Sequence, residues 1–283
     1  MNVLSIQSFV AFGHVGNRAA MLPLERLGHE VWPVNTVLLA HHPGYGAWHG
    51  RVAAAEEIMT LIGGLEARGA FGRCDAVLSG YLGDAALGPA LLDAVRRVRK
   101  ANPKALYCCD PVMGDQARGF YVRAGIPEFY RDQVMPLADL LIPNTFELGW
   151  LAAVRVDDAT SALGAARALI ARGPRLVVAT GLRRMVRGRP RIGALAVEAS
   201  RAWYAEAPFI AAPANGAGDA FAALFLGHYL RGRRVGGALE RAVSALHAVI
   251  AKTAVLGSGE LALVESQAAF LKPKRLFKAE KIG

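Results

Sequence analysis

The segment APANGAGDAFAALFLGHYL, residues 212–230, presents Gly216, Ala217 and Gly218, then Asp219, its only acidic residue, ahead of an apolar run. Small residues before a helix let consecutive backbone N–H groups converge on an anion, and the helix N-terminus adds partial positive charge. The same donors can stabilise charge that develops on a transferring phosphoryl group. A carboxylate in the first turn, beside that anion, is placed to accept a hydroxyl proton as the oxygen attacks. Asp219 also has a structural reading, because an acidic residue in a first turn gains about 0.3–1 kcal/mol from the helix dipole.

Two further segments carry hard oxygen ligands. CDPVMGD (109–115) puts Asp110 at a strand end, then a proline turn, then Gly114 and Asp115. PNTFELGWL (143–151) puts Asn144 and Glu147 three apart at the opening of a helix. Carboxylates and amide oxygens suit Mg²⁺, often through water. Asn144 and Glu147 also have the spacing of an ordinary capping box.

The elements that must position these groups alternate. Strands are expected at 3–7, 30–37, 75–80, 105–110, 139–144 and 175–181, with β-like segments near 192–197 and 201–206. Helices are expected at 17–28, 52–67, 85–100 (with Asp84 as cap), from 145, and at 159–171, 217–231 and 237–256. This alternation implies an α/β fold with a mostly parallel sheet covered on both faces. No long linker or fixed-period repeat interrupts it, so residues 1–283 read as one domain. Ligands of such sheets bind beyond the carboxyl ends of the strands. Those ends read Ser8, Gly80–Tyr81, Asp110–Pro111, Asn144–Glu147 and Thr180–Gly181.

Composition narrows the classes. A 53% hydrophobic and 20% charged chain supports a sizeable core. Cys74, Cys108 and Cys109 make neither a disulfide framework nor a zinc pattern, and a reducing compartment fits them. The N-terminus lacks the basic region of a signal peptide, and no apolar run is long enough for a membrane span. These features imply a soluble cytoplasmic protein. Adjacent Cys108 and Cys109 point to opposite faces of their strand, as core residues. His41, His42 and His49 share a loop without the further ligand spacing of a metal site. The formal charge of +10 comes largely from seven arginines between Arg172 and Arg191 and from a basic tail, about 272–283. A solvated loop and a mobile tail account for it, as does a field that attracts an anionic ligand. A nucleic-acid surface is disfavoured, since neither cluster carries interleaved aromatics. No phosphate-binding G-x-x-x-x-G-K-[ST] occurs, and FGHVGN lacks the full dinucleotide fingerprint.

Taken in order, DPVMGD, PNTFELGWL and NGAGDAFAALFL resemble the ribokinase-like superfamily of small-molecule kinases. IQSFVAFGHVGNRAAMLPLERLGHEVWPVNTV, HHPGYGAWHG and DAVLSGYLGD are similar to the pyridoxal kinase branch, over about residues 3–256. The resemblance implies a three-layer α/β/α sandwich and transfer of the γ-phosphoryl of ATP to the 5′-hydroxyl of pyridoxal, with pyridoxine and pyridoxamine as further acceptors. It also implies Mg²⁺, a monovalent cation such as K⁺, and a homodimer. Asp219 matches the catalytic base, and the N–H groups of Gly216, Ala217 and Gly218 match the anion hole. Asp110 and Glu147 match positions near the ATP phosphates and the metal, with Asn144, Thr180 and Gly181 beside the nucleotide. Ser8 and Tyr81 match ring-site residues, and His42, Pro43 and Gly44 fall in the segment that closes over the substrate.

Two positions depart from the pattern. Pro43 stands where a threonine is common, which removes a hydroxyl and an N–H. Thr180 stands where some relatives have lysine, a charge that Arg183 and Arg184 are expected to supply. The alternatives are a hydroxymethylpyrimidine or sugar kinase of the same fold, and a non-catalytic B6-vitamer binder.

Overall fold

The computed structural model describes residues 1–213 and 215–282. Ala214, in the segment before the glycines, and Gly283, at the end of the tail, lie outside the described residues.

In chain order the elements are β1 (Asn2–Val10), α1 (Asn17–Arg26), β2 (Glu30–Leu39), β3 (Gly50–Val52), α2 (Ala55–Ala67), β4 (Cys74–Ser79) and α3 (Gly88–Ala101). There follow β5 (Leu106–Cys109), β6 (Gly114–Asp115), β7 (Gly119–Phe120), α4 (Ile126–Phe129), β8 (Leu140–Leu141), α5 (Thr145–Ala152) and α6 (Ala159–Ile170). The C-terminal third holds β9 (Leu176–Val186), β10 (Arg189–Glu198), β11 (Ala202–Pro208), α7 (Ala217–Gly232), α8 (Val235–Leu256), α9 (Gln267–Leu271) and β12 (Glu280–Ile282).

One sheet runs β12-β11-β10-β9-β8-β5-β4-β1-β2-β3. Its centre, from β9 to β2, is parallel. Antiparallel strands close both edges. Each central strand is apolar on both faces, as burial under two helical layers requires. One core layer contains Leu4, Ile6, Val77 and Cys109 with Leu91, Val95 and Ala166. The other contains Val3, Leu78 and Cys108 with Leu24, Phe225 and Leu239. Cys108 and Cys109 therefore do face opposite layers, and all three thiols are free and buried. This is the expected three-layer sandwich. Among the described residues, no helix is long and apolar enough to cross a membrane.

Three expectations need correction. The arginine-rich 172–191 stretch is largely a hairpin arm, not a loop, because β9 and β10 pair antiparallel from Leu176–Glu198 to Val186–Arg189. The basic tail is anchored rather than mobile. Phe277 is buried, its N–H donates to Ser244 Oγ at 2.8 Å, and β12 pairs with β11. The strand expected over 139–144 shortens to Leu140–Leu141, because Pro143 and Asn144 already form the entry to α5.

β1 lies between β2 and β4, so the chain reverses its direction of travel across the sheet at this strand. A crevice opens where connections leave such a switch point on opposite sides. Ser8 and Tyr81 sit at its mouth, one near the end of β1 and the other just past β4.

Candidate active site

Gly216 caps α7 with φ +81°, a left-handed conformation that favours glycine. A Cβ on Gly216 would overlap the carbonyl oxygen of His14. The turn before α7 is thus pressed against the loop after β1, and only a residue without a side chain fits there. Gly218 stands on the open side of the same turn. A Cβ built on it would be 3.9 Å from Asp110 Oδ2. The backbone at the start of α7 and the Asp110 carboxylate therefore border one space.

Asp219 lies in the first turn of α7 and is half-buried. Burial raises its carboxyl to about 6, against the stabilising N–H groups of Gly16 and of Asp219 itself. Desolvation here outweighs the helix dipole. The result is a carboxylate whose proton affinity lies close to neutral pH, as a general base requires. Gly16 is fixed in turn, since a Cβ on it would overlap the backbone oxygen and the hydroxyl of Ser8. Ser8 and Gly16 form one short path from the switch-point crevice to Asp219.

Asp110 is buried at the end of β5, and among the described residues no hydrogen-bond donor reaches its carboxylate. Burial, then the negative charges of Glu147 and Asp219, push its carboxyl well above the ordinary range. Glu147 is also buried, which pushes it up to about 8 against the N–H groups of Asn144, Met113 and Gly114. The capping-box reading of Asn144 and Glu147 holds. The capping box is complete, with Glu147 N–H donating to Asn144 Oδ1 at 3.0 Å and Asn144 N–H to Glu147 Oε2 at 2.8 Å. The same side chains also pin the DPVMG turn: Met113 N–H donates to Glu147 Oε1 at 2.9 Å, and Asn144 Nδ2 to the Gly114 carbonyl at 2.8 Å. Asn144 is thereby spent on positioning, whereas Asp110 is left facing the cleft.

Beyond the glycines is an apolar cavity of ≈ 270 Å³ between the β9–β11 arm and helices α7 and α8. Thr180, Gly181, Ala217 and Gly218 form its polar end, and Phe221, Val243 and Ile250 its floor. A flat aromatic group attached to an anion fits such a shape. Of the two arginines expected to aid the anion, Arg183 borders the cavity, stacked 4.5 Å over Phe209. Arg184 is on the other face of the strand, where it pairs with Glu206 at 2.6 Å.

On the other side of Asp219, His42 is buried and Pro43 and Gly44 are exposed in a tight turn. Gly44 N–H donates to His42 Nδ1 at 3.1 Å. Tyr81 is half-buried and packs on the patch formed by Val10, Val37 and Leu39.

Local sequence reading missed several groups. Gly16 was visible only as part of an incomplete glycine motif. Tyr121 follows the β6–β7 hairpin. Burial and the negative charge of Glu147, Asp110 and Asp219 push its hydroxyl up, which places it near all three. Glu260 contacts residues more than two hundred positions away, so no local pattern marks it.

A family model described as phosphomethylpyrimidine kinase matches residues 70–263. A pyridoxal kinase from Rubrobacter xylanophilus is 50% identical over 100% of this chain and 98% of its own length. One from Corynebacterium diphtheriae is 46% identical over 100% of both. The structure of pyridoxal kinase from Leishmania donovani in complex with ADP and pyridoxamine has a TM-score of 0.92 at 29% identity, over 100% of this chain and 99% of that one. The general kinase model matches only the part from residue 70 onward, whereas these relatives also match the segments that carry Ser8 and His42. The chain belongs to the pyridoxal kinase family.

Proposed function

We infer that the protein is an ATP-dependent pyridoxal kinase. It transfers the γ-phosphoryl group of ATP to the 5′-hydroxyl of pyridoxal, with pyridoxine and pyridoxamine as further acceptors. The observation that carries the mechanism is Asp219. This single carboxylate, raised to about 6, stands in the first turn of α7 directly after the glycine-capped N-terminus.

The roles follow from this placement. The vitamer ring lies in the crevice between Ser8 and Tyr81, under the His42–Gly44 turn. The adenine group lies in the apolar cavity, with its phosphates toward Thr180, Gly181 and the start of α7. Asp219 takes the hydroxyl proton as the 5′-oxygen bonds to the γ-phosphorus. The bond from that phosphorus to the β–γ bridging oxygen breaks, and ADP leaves. The N–H groups of Gly216, Ala217 and Gly218 stabilise charge on the transferring group. No residue of the protein is phosphorylated.

A divalent cation fits the residues present. Asp110 is a buried carboxylate with no donor among the described residues and two carboxylates near it, an excess of negative charge that a cation offsets. Among the described residues, no group of three or more His, Cys, Asp or Glu forms a ready-made cage. Mg²⁺ needs no such cage, since it keeps several waters and binds through one or two carboxylates plus phosphates. Asp110 would hold it, with Glu147 acting through water. When bound, the ion supplies charge neutralisation to the phosphates.

The three free thiols fit a reducing, cytoplasmic setting. A homodimer belongs to the same reading, and light scattering on the purified protein tests it.

The deciding experiment measures pyridoxal phosphate formation from pyridoxal and Mg·ATP, comparing wild type with Asp219→Ala. Turnover by wild type, with loss of most of kcat and little change in pyridoxal affinity in the variant, is the expected result. Wild type that binds pyridoxal but makes no product would make the protein a binder. A panel that includes hydroxymethylpyrimidine separates the kinases of this fold.

A further inference from the structure

Glu260 lies in the turn beyond α8 and takes no part in the mechanism above. Its side chain is only 11% exposed. Three donors converge on its carboxylate. Oε1 receives Tyr45 OH at 2.6 Å and His42 Nε2 at 3.1 Å. Oε2 receives the His14 backbone N–H at 2.9 Å. Gly13, at φ +95°, leaves room for it, since a Cβ there would come within 2.5 Å of Oε2.

The His42 contact has a defined polarity. Its Nδ1 faces the Gly44 N–H, which can only donate, so Nδ1 is the acceptor and the ring proton is on Nε2. Nε2–H then donates to Glu260. Both ring nitrogens are occupied, and the ring stacks on Tyr45 with centroids 4.6 Å apart. The turn over the vitamer crevice is therefore held by the carboxylate at two points. Its third contact, the His14 N–H, belongs to the loop whose His14 carbonyl presses on Gly216 and whose Gly16 N–H meets Asp219.

We propose that Glu260 is a positioning residue that latches the substrate-covering turn, through His42 and Tyr45, to the loop that holds the base and the anion-hole glycine. This rests on the kinase reading of that site. Glu260 is not among the described residues that line the apolar cavity, so the latch governs the vitamer and the chemical step rather than ATP.

The test is Glu260→Ala and Glu260→Gln, read by equilibrium titration with pyridoxal and by steady-state kinetics. Loss of a hydrogen-bonded buried charge predicts that Glu260→Ala weakens pyridoxal binding and lowers kcat/KM for pyridoxal about 10- to 100-fold, with KM for Mg·ATP within about twofold of wild type. Glu260→Gln has the same size, but in one amide orientation the His14 N–H meets no acceptor, and in the other both Tyr45 OH and His42 Nε2–H lose theirs. It should fold normally and show an intermediate loss. On the Glu260→Ala background, Tyr45→Phe should cost nothing further, because the two act as one unit.

A purely structural role would lower the thermal midpoint or the active fraction and leave both KM values alone. That result overturns the proposal, as do equal rises in both KM values or additive losses with Tyr45→Phe. The titration needs no turnover. If wild type binds pyridoxal without phosphorylating it, the kinase reading fails, yet a wild-type-like pyridoxal affinity in Glu260→Ala would still refute the latch on its own.

Discussion

Gly216→Ala is the sharpest test of the proposed anion hole. Gly216 has φ +81°, and its missing Cβ would overlap the His14 carbonyl oxygen. The left-handed conformation costs an alanine about 1–2 kcal/mol. The overlap adds to this, because His14 cannot retreat freely while its N–H is held by Glu260. The strain can be relieved by moving the start of α7, and that displaces the donors proposed to meet the phosphoryl group. Loss of one such donor costs about 10²–10³ in kcat. A strain of about 1–2 kcal/mol also lowers the thermal midpoint by about 2–8 °C in a domain of this size.

Gly218→Ala is the matched control. Gly218 carries no positive φ, and its Cβ would meet only Asp110 Oδ2, at 3.9 Å. Its thermal midpoint should equal that of wild type. Its methyl nonetheless enters the space between α7 and Asp110, so KM for Mg·ATP should rise. The assay is steady-state formation of pyridoxal phosphate alongside thermal melts of the three proteins. Gly216→Ala with kcat within about twofold of wild type would refute the argument. So would a Gly218→Ala protein less stable than Gly216→Ala.

Other expectations concern charge. The pH profile of kcat/KM should fall on its acid side with an apparent pKa of about 6, the value to which burial raises Asp219. Asp219→Asn should abolish that limb and cost about 10²–10⁴ in kcat. Raised carboxyl pKa values mean that the folded state holds protons which the unfolded state has already released. Stability from Asp110 and Glu147 is therefore present below about pH 4 and is lost as pH rises, for Glu147 through about 8. Metal-free wild type should lose thermal stability relative to Asp110→Asn between about pH 5 and 8, and Mg²⁺ should restore more of it at the upper end; parallel melting curves would contradict this. Arg183→Ala should raise KM for Mg·ATP several-fold while Arg184→Ala leaves it unchanged, since only Arg183 borders the cavity. Equal effects would show that charge acts there without regard to place.

The local parts of the site were legible because each is encoded by neighbours in the chain. Two glycines and a carboxylate before an apolar run mark the start of α7, and the observed helix begins at Ala217 as expected. Asn144 and Glu147 likewise mark the start of α5. The β9–β10 hairpin was obscured because its arginines mask the alternation, with Leu182 buried between exposed Gly181 and Arg183. The tail was misread because its charge suggests solvent, while its one decisive residue, Phe277, is sequestered beside His247 at 4.8 Å. Glu260 was invisible for a different reason. Its partners lie on two other loops, and only the folded topology brings His14, His42 and Tyr45 to one carboxylate.

Pro43 is the residue that keeps the binder reading open, and the geometry weakens that case. A threonine there would offer a hydroxyl and an N–H, but the first residue of a tight helical turn needs no N–H. Pro43 begins such a turn, and its carbonyl accepts the Gly46 N–H at 3.0 Å. Proline fixes the backbone before His42 engages Gly44 and before Tyr45 reaches Glu260. What the substitution removes in hydrogen bonding, it returns as rigidity in the turn proposed to cover the vitamer. A binder would gain from that rigidity too, but it has no use for Asp219. A half-buried carboxyl raised to about 6 in the first turn of α7 lacks a cationic partner among the described residues. Such a group is a standing cost to the fold of about 1.4 kcal/mol per pKa unit, which the proposed role as base would explain. Pro43→Thr should therefore shift the ranking of pyridoxal, pyridoxine and pyridoxamine by KM and leave kcat for the best of them within about threefold. A gain of activity from an inactive wild type would reverse the argument.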